Sequence, residues 1–253
     1  VVDTSNLELN VYDGLKVWEP KSNDINNRHQ IMKVSGSTKF LVSNISSQHS
    51  KLSLEIGTGV GYIAMQLAKH SDMVIATDIN MEALKLAKFN AEQNGINNIQ
   101  FICCDMFASF KEHKFDLIVS NPPFVISPDN DQTFRDNDFL GDGFMQWLIN
   151  EIPNFLSYTG KSCIIGDIIN HKNVDFDTKM EDWFDHNNCS NLVIQYLNTN
   201  IKKYIRRWIS DIENIQEWED YYTEHNVKSL VYCLITMQKS NITTVATLSN
   251  IRK

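Results

Sequence analysis

Cysteine is scarce in this chain and follows no pairing pattern. Cys103, Cys104, Cys163, Cys189 and Cys233 include no Cys-x-x-Cys spacing, and three of them sit in apolar, strand-like runs. That distribution argues against a thiolate metal site or a disulfide framework and for reduced core thiols. The seven histidines are scattered singly, so no metal centre is expected. No apolar run is long enough to cross a bilayer, and the first residues lack the basic-then-apolar order of a secretion signal. A cytoplasmic protein without a membrane partner is the expectation. Positive charge is also in deficit, with 23 Lys and Arg against 31 Asp and Glu for a net charge of -8. Such a balance repels a phosphate backbone at long range and argues against a broad nucleic-acid surface, though a local basic patch can still dock a partner. Glycine (10) and proline (5) are few, so the places where they gather are informative.

Glycine gathers at one place. Leu52, Leu54 and Ile56 alternate into Gly57, Thr58, Gly59 and Gly61, and Ile63, Met65, Leu67 and Ala68 follow at helical spacing. The pattern predicts a strand, a tight turn and a helix, with glycines where the backbone turns sharply and a ligand comes close. A second strand over Met73 to Ala76 ends in Thr77, Asp78 and Ile79. A third, from Ile99 to Cys104, ends in Asp105 and Met106, and a fourth, from Phe115 to Ser120, runs into Asn121, Pro122, Pro123 and Phe124. Asn80 predicts the cap of an intervening helix with Ala83, Leu84, Ala87 and Ala91 on its apolar face and Gly95 as its stop. Strands alternating with helices imply a parallel sheet with right-handed crossovers, and ligands bind at the carboxyl ends of such strands. A glycine turn by itself is shared with nicotinamide and flavin enzymes. The nicotinamide reading, however, gives no reason for Asn-Pro-Pro-Phe after the fourth strand, and no general acid for hydride chemistry is visible.

As an ordered set, Glu55 with its three glycines, Asp78, Asp105 and Asn121-Pro122-Pro123-Phe124 resembles a class I S-adenosylmethionine-dependent methyltransferase of the Asn-Pro-Pro-aromatic branch. That branch includes the methyltransferase small domain enzymes, the release-factor glutamine methyltransferases, and the ribosomal RNA and DNA base amine methyltransferases. The resemblance is close over Leu52 to Phe124 and covers the remainder in outline. It implies a Rossmann-like sheet of seven mostly parallel strands with helices on both faces, and S-adenosylmethionine as cofactor. The backbone of Gly57, Thr58, Gly59 and Gly61 would then meet the methionine part of the cofactor, Asp78 the ribose hydroxyls and Asp105 the adenine amine. Ile79 and Met106 would enclose the adenine ring. In related enzymes the acid at the position of Glu55 braces the glycine loop or the methionine amine. By the same resemblance Asn121, beside the cofactor, and the Pro122 carbonyl accept hydrogen bonds from an amide or exocyclic amine that receives the methyl group. Two prolines hold that carbonyl in place, and Phe124 offers a ring for a planar group to stack on.

The flanking segments carry weaker signals. Asp13-Gly14 between two alternating runs predicts a hairpin closed by Glu19-Pro20. A polar Lys21 to His29 reads as linker or lid, and Ser37 to Ile45 as a short helix. Residues 1-50 are therefore expected to form a hairpin and a lid or substrate-selecting extension, 51-240 the catalytic domain, and 241-253 a mobile tail. Pro153 predicts a kink or early stop in a helix over Gly141 to Leu156. Lys161 to Asp167, Asn191 to Leu197 and Ser229 to Gln238 read as the fifth to seventh strands. An insertion from Asn198 to His225 carries Lys202, Lys203, Arg206 and Arg207. These four, with Arg135, are the candidate substrate contacts. Their other reading is a solvated helix face balanced by Asp211, Glu213 and Glu217. The expected reaction is methyl transfer to an amide or amine nitrogen of a macromolecule, an rRNA base or a protein glutamine. A small planar metabolite as acceptor, or a catalytically silent cofactor-binding partner subunit, are the alternatives.

Overall fold

A computed structural model describes residues 2–21, 31–128, 141–209 and 212–249. The elements in chain order are β1 (Leu7–Tyr12), β2 (Leu15–Pro20), α1 (Gly36–Asn44), β3 (Ser50–Ile56), α2 (Tyr62–Ala68), β4 (Ser71–Asp78), α3 (Met81–Gln93), β5 (Ile99–Cys103) and β6 (Phe115–Ser120). They continue with α4 (Gly143–Phe155), β7 (Leu156–His171), α5 (Phe176–Trp183), β8 (Cys189–Asn200), α6 (Ile201–Trp208), α7 (Ile212–Glu224), β9 (Val227–Lys239) and β10 (Thr244–Ser249). The strand order of the main sheet is β10-β8-β9-β7-β6-β3-β4-β5. Of its recorded pairings, β8 with β9 is antiparallel and the others are parallel. The expected mostly parallel sheet is therefore present, with eight strands instead of seven. Among the described residues, no helix is long and apolar enough to cross a membrane.

The chain divides into two compact units, Val1–Pro122 with Phe155–Ile164, and Pro123–Asn154 with Ile165–Lys253. In the first, β3 is buried along most of its length, as a strand inside a parallel sheet covered on both faces must be. Its register sets the working edge. Ile56 pairs with Thr77 on one side and Ser120 on the other, and Asp78 pairs with Cys103. The loops after β3, β4, β5 and β6 therefore leave the sheet at one level. The side chains at this edge bind the strands together: the Thr77 hydroxyl donates to the Glu55 carbonyl at 3.1 Å and the Ser120 hydroxyl to the Ile56 carbonyl at 3.0 Å.

The N-terminal hairpin belongs to this first unit. Asp13 and Gly14 both take positive φ, 48° and 79°, as a two-residue turn of the right hand requires. A lone two-stranded ribbon is marginal in water, and Asn90 of α3 with Asn94 at its C-terminal cap supply the missing neighbour. Asn90 accepts from the Trp18 N–H at 2.8 Å and donates to the Trp18 carbonyl at 3.0 Å. Asn94 repeats the pattern on Lys16. Buried Glu19 accepts from Asn10, Tyr12 and the Val34 N–H, so the hairpin also anchors the approach to α1. Leu15, Val17, Val34, Val60, Tyr62, Met65 and Leu86 form the apolar core beneath it.

In the second unit, Thr244–Ser249 within the segment expected to be a mobile tail form β10, paired in parallel with β8, and 250–253 lie outside the described residues. Its Thr-rich pattern hides a strand that is half exposed along its length. Buried Asn191 holds it by donating to the Thr244 carbonyl at 2.9 Å. The strand expected from Lys161 begins at Leu156. Its register against β6 is interrupted between Phe115 and Leu117, where Gly160 lies so close to the Phe115 carbonyl that a Cβ would approach it to 2.7 Å. That irregularity breaks the alternation from which a strand would be read. Pro153 lies inside its helix, which runs on to Phe155, one residue short of the expected Leu156. The insertion after Asn198 continues β8 and then forms α6 and α7.

A buried ion pair braces the second unit. Lys179 Nζ lies 2.6 Å from Asp142 Oδ2, with their side chains 10% and 11% exposed. Asp142 also accepts the Ile169 N–H at 2.7 Å, and Lys179 donates to the Ile169 carbonyl at 2.9 Å. Removing one partner would strand the other charge in low dielectric. Lys179→Met is expected to lower unfolding free energy by about 3 kcal/mol. The double change with Asp142→Asn should recover part of that loss, and urea unfolding of the three chains checks both.

Candidate functional site

Five residues separate the end of β3 from the start of α2, and three of them are glycines with positive φ: Gly57 at 74°, Gly59 at 53° and Gly61 at 84°. The reversal is held from β4. The N–H groups of Gly57 and Thr58 both donate to the Thr77 carbonyl, at 2.9 and 2.8 Å. At Gly61 a side chain is excluded twice over, by φ and because a Cβ would come within 2.8 Å of the Ala87 Cβ. Apart from its chain neighbours, none of the described residues comes within 4 Å of the place a Cβ on Gly57 would take.

Glu55 lies buried beneath this turn. One carboxyl oxygen accepts from the Thr58 hydroxyl at 2.6 Å, and the Ala64 N–H in the first turn of α2 also bonds the carboxyl. The other oxygen, Oε1, is buried and has no hydrogen-bond partner among the described residues. Gly61 at the N-cap has no side chain to offer the helix, so Glu55 serves as its cap from the strand below. Burial pushes the carboxyl up to about 8, against the lowering effect of the Thr58 and Ala64 hydrogen bonds.

Asp78 ends β4. Its Oδ2 accepts from Gly59 N–H and its Oδ1 from Asn80 N–H, each at 2.9 Å, and a carboxylate oxygen has room for a further donor. Burial raises its pKa while the backbone hydrogen bonds of Asn80 and Gly59 lower it. Ile79 beside it is 69% exposed, a large apolar side chain left open at the sheet edge. Asp105 is exposed after β5. Met106 follows with φ 45°, a conformation that a residue with a side chain adopts only when its surroundings impose it.

After β6, Asn121 Nδ2 donates to the Thr38 hydroxyl of α1 at 3.2 Å, and among the described residues buried Asn121 Oδ1 has no hydrogen-bond partner. Pro122 is buried and closes this stretch of the first unit. Pro123 and Phe124 open the second, where the Phe124 and Tyr232 rings lie 5.8 Å apart. Two residues on, Ile126 is gripped at both backbone groups. Its N–H donates to the Tyr204 hydroxyl at 3.3 Å, and its carbonyl accepts from the Tyr222 hydroxyl. Tyr204 in turn donates to buried Asp167 at 2.9 Å. Burial brings the Asp167 carboxyl up to about 6, with Tyr204 and Arg207 pulling the other way. Lys202, Lys203, Arg206 and Arg207 are all exposed on α6, with the Arg207 guanidinium 5.2 Å from the centre of the Trp208 ring. Arg135 lies outside the described residues.

Thr38, Tyr204, Tyr222 and Asp167 had no assigned role in the sequence. Tyr222 falls within the Asn198 to His225 insertion and Thr38 within the short Ser37 to Ile45 helix. Nothing in local spacing connects either to the Asn-Pro-Pro-Phe segment.

Residues 30–191 match the model of the methyltransferase small domain family. The chain belongs to that family. Among relatives, it is 29% identical over 167 residues to a protein of Methanocaldococcus jannaschii described as a protein N5-glutamine methyltransferase, covering 63% of this chain and 76% of that one. It is 37% identical over 133 residues to the release factor glutamine methyltransferase of Francisella tularensis, covering 47% of each. The chain thus spans less than half of the second relative's length. A solved structure described as a methyltransferase complexed with S-adenosylhomocysteine superposes with a TM-score of 0.57 at 14% identity, over 94% of this chain and 57% of that one. At that identity the likeness establishes the fold of this methyltransferase-domain protein.

The raised Glu55 pKa has a consequence for stability. Between its ordinary 4.5 and about 8 the folded chain holds a proton that the unfolded chain has lost, so stability falls as pH rises through that interval. Below it the effect is absent. Glu55→Gln keeps an acceptor for Thr58 and is expected to flatten this part of the stability profile. Urea midpoints measured across the interval check it, and an unchanged slope would remove Glu55 as its source.

Proposed function

We propose that this protein is an S-adenosylmethionine-dependent N-methyltransferase acting on the side-chain amide of glutamine in a protein. The observation that carries the reading is the buried Asn121 Oδ1 at the carboxyl edge of the sheet, which no donor among the described residues reaches. A hydrogen-bond acceptor left unmade in a buried position costs free energy that only a donor can recover. An amide N–H of the acceptor glutamine is such a donor. The names of the Methanocaldococcus and Francisella relatives support glutamine as the acceptor.

The residues present fit the cofactor. Open space beside Gly57 allows close approach to the loop backbone. The free lone pairs of Asp78 suit two ribose hydroxyls, and exposed Ile79 with half-buried Met106 suit the faces of an adenine ring. Asp105 is assigned the adenine amine, and Glu55 the support of the loop. When bound, S-adenosylmethionine supplies an electrophilic methyl group. The task of the chain is then alignment and exclusion of water. A glutamine amide nitrogen is a poor nucleophile because its lone pair is delocalised into its carbonyl. Asn121 Oδ1 and the Pro122 carbonyl accept the two N–H bonds, hold the nitrogen at the methyl group and favour the pyramidal geometry in which the lone pair is available. Phe124 offers a ring against which the planar amide rests.

The exposed basic residues of α6, Lys202, Lys203, Arg206 and Arg207, together with Arg135, are assigned to an acidic stretch of the protein substrate. Charges at an interface rim act chiefly on encounter and are screened by salt. Changing the four α6 residues to Gln is expected to raise KM for the protein substrate and reduce its salt dependence while leaving kcat within about twofold.

The decisive experiment is calorimetric titration with S-adenosylmethionine, run beside NADH and repeated on Asp78→Ala. Radiolabelled methyl transfer to a release factor, an RNA pool and small planar metabolites follows. Binding of the methyl donor that weakens at least tenfold in the Asp78 variant, with label on glutamine, is expected. Asn121→Ala should lower kcat by roughly a hundredfold or more with cofactor affinity little changed. Label on RNA or a metabolite would replace the substrate assignment, and NADH binding without methyl-donor binding would overturn the reaction.

A further inference from the structure

We infer that Thr38 is a positioning residue that anchors the Asn121 amide with its oxygen toward the methyl acceptor, an inference that rests on the reading of Asn121 above. Thr38 belongs to the capping box of α1. Its N–H donates to Ser35 Oγ at 3.1 Å, and the Ser35 N–H lies 3.4 Å from Thr38 Oγ1. The cap requires nothing more. Yet the same Thr38 oxygen also receives Asn121 Nδ2 across 83 residues of sequence, at 3.2 Å.

The proton count ties this contact to a chain of three hydroxyls. Thr38 Oγ1 and Ser35 Oγ are 2.9 Å apart, and Ser35 Oγ and Ser37 Oγ 2.7 Å. A hydroxyl gives one proton and accepts two. With Thr38 Oγ1 accepting from the Ser35 N–H and from Asn121, its own proton goes to Ser35 Oγ. Ser35 Oγ then accepts from the Thr38 N–H and the Thr38 hydroxyl and passes its proton on to Ser37. Every acceptor site on Thr38 and Ser35 is filled. If the amide turned over, all three hydroxyl protons would reverse, and Nδ2 would occupy the buried position that now holds the unpartnered Oδ1. Buried orphan N–H groups are rarer than under-satisfied carbonyl oxygens, so the oxygen-out arrangement is favoured. It is also the arrangement that can accept from an incoming amide; the reversed one would oppose donor to donor. Thr38 therefore works through Asn121.

The test compares Thr38→Val, which keeps the shape and removes the hydroxyl, with Thr38→Ser, which keeps the hydroxyl; Thr38→Ala is a second hydroxyl-free variant. The first readout is independent of catalysis: the side-chain amide NMR signals of Asn121, identified by their loss in Asn121→Ala. In Thr38→Val and Thr38→Ala these signals are expected to shift and their protons to exchange several-fold faster, while Thr38→Ser resembles the parent. With a glutamine acceptor, kcat should fall about tenfold in the hydroxyl-free variants and recover in Thr38→Ser, with the dissociation constant for S-adenosylhomocysteine within about twofold throughout. Asn121 signals unmoved by Thr38→Val, with only a lowered melting temperature, would reduce Thr38 to a helix cap and overturn the inference. Signals that follow the hydroxyl in a chain that methylates no glutamine would uphold the Thr38 contact and overturn the acceptor role of Asn121.

Discussion

A strand that reverses into a helix within five residues leaves the first N–H groups of that helix without partners and brings its own end under the turn. Glu55 meets both demands from a buried position, bonding Thr58 in the turn and Ala64 in the first turn of α2. The glycine loop can then be built from residues with no side chains to hold it. Its other restraint is the Thr77 carbonyl, which takes two loop N–H groups at once. Because β3 and β4 are in register at Ile56 and Thr77, the same few atoms fix where Asp78 emerges and how near Gly59 comes to it.

Side-chain amides extend this order outward by standing in for backbone. Asn90 and Asn94 pair with β2 as a neighbouring strand would, and Asn90 also donates to the Val60 carbonyl in the glycine loop at 2.9 Å. The N-terminal hairpin is thereby tied to the loop through one helix. Asn121 makes the corresponding link between β6 and α1. An amide pairs well with a peptide group because it carries the same donor and acceptor, and its cost is that either end can face either way. At Asn90 and Asn94 both ends are used, and the orientation is determined. At Asn121 one end is held by the Thr38 hydroxyl, and the rarity of a buried N–H without an acceptor favours the oxygen at the other.

In the second unit, polar atoms inside an apolar cluster do the comparable work. Tyr204, Tyr222, Trp218 and Ile205 pack with Val125, Ile126 and Leu230. Within that cluster the two tyrosine hydroxyls hold both backbone groups of Ile126. Apolar packing alone would leave those groups unsatisfied, and a loop with buried, unpaired backbone is unstable. Tyr204 thus lies on the buried side of the same short helix that exposes Lys202, Lys203, Arg206 and Arg207.

What the sequence by itself determined is what short-range geometry demands. Positive φ at Gly57, Gly59 and Gly61, the Asp13-Gly14 hairpin, the Asn80 cap and the apolar strands that deliver Asp78, Asp105 and Asn121 to one edge all follow from residue type and local period. Those constraints act over a few residues, so they can be read without knowing the rest of the chain. The tertiary structure alone decided what depends on partners distant in sequence. It made a strand of Thr244 to Ser249 because β8 offers a free edge and Asn191 a hydrogen bond. It started β7 at Leu156 although Gly160 interrupts the pattern. It gave Glu55 its raised pKa through burial, and joined Thr38 to Asn121 and Tyr204 to Ile126. Burial and hydrogen-bond satisfaction are properties of the assembled interior, and no periodicity along the chain encodes them.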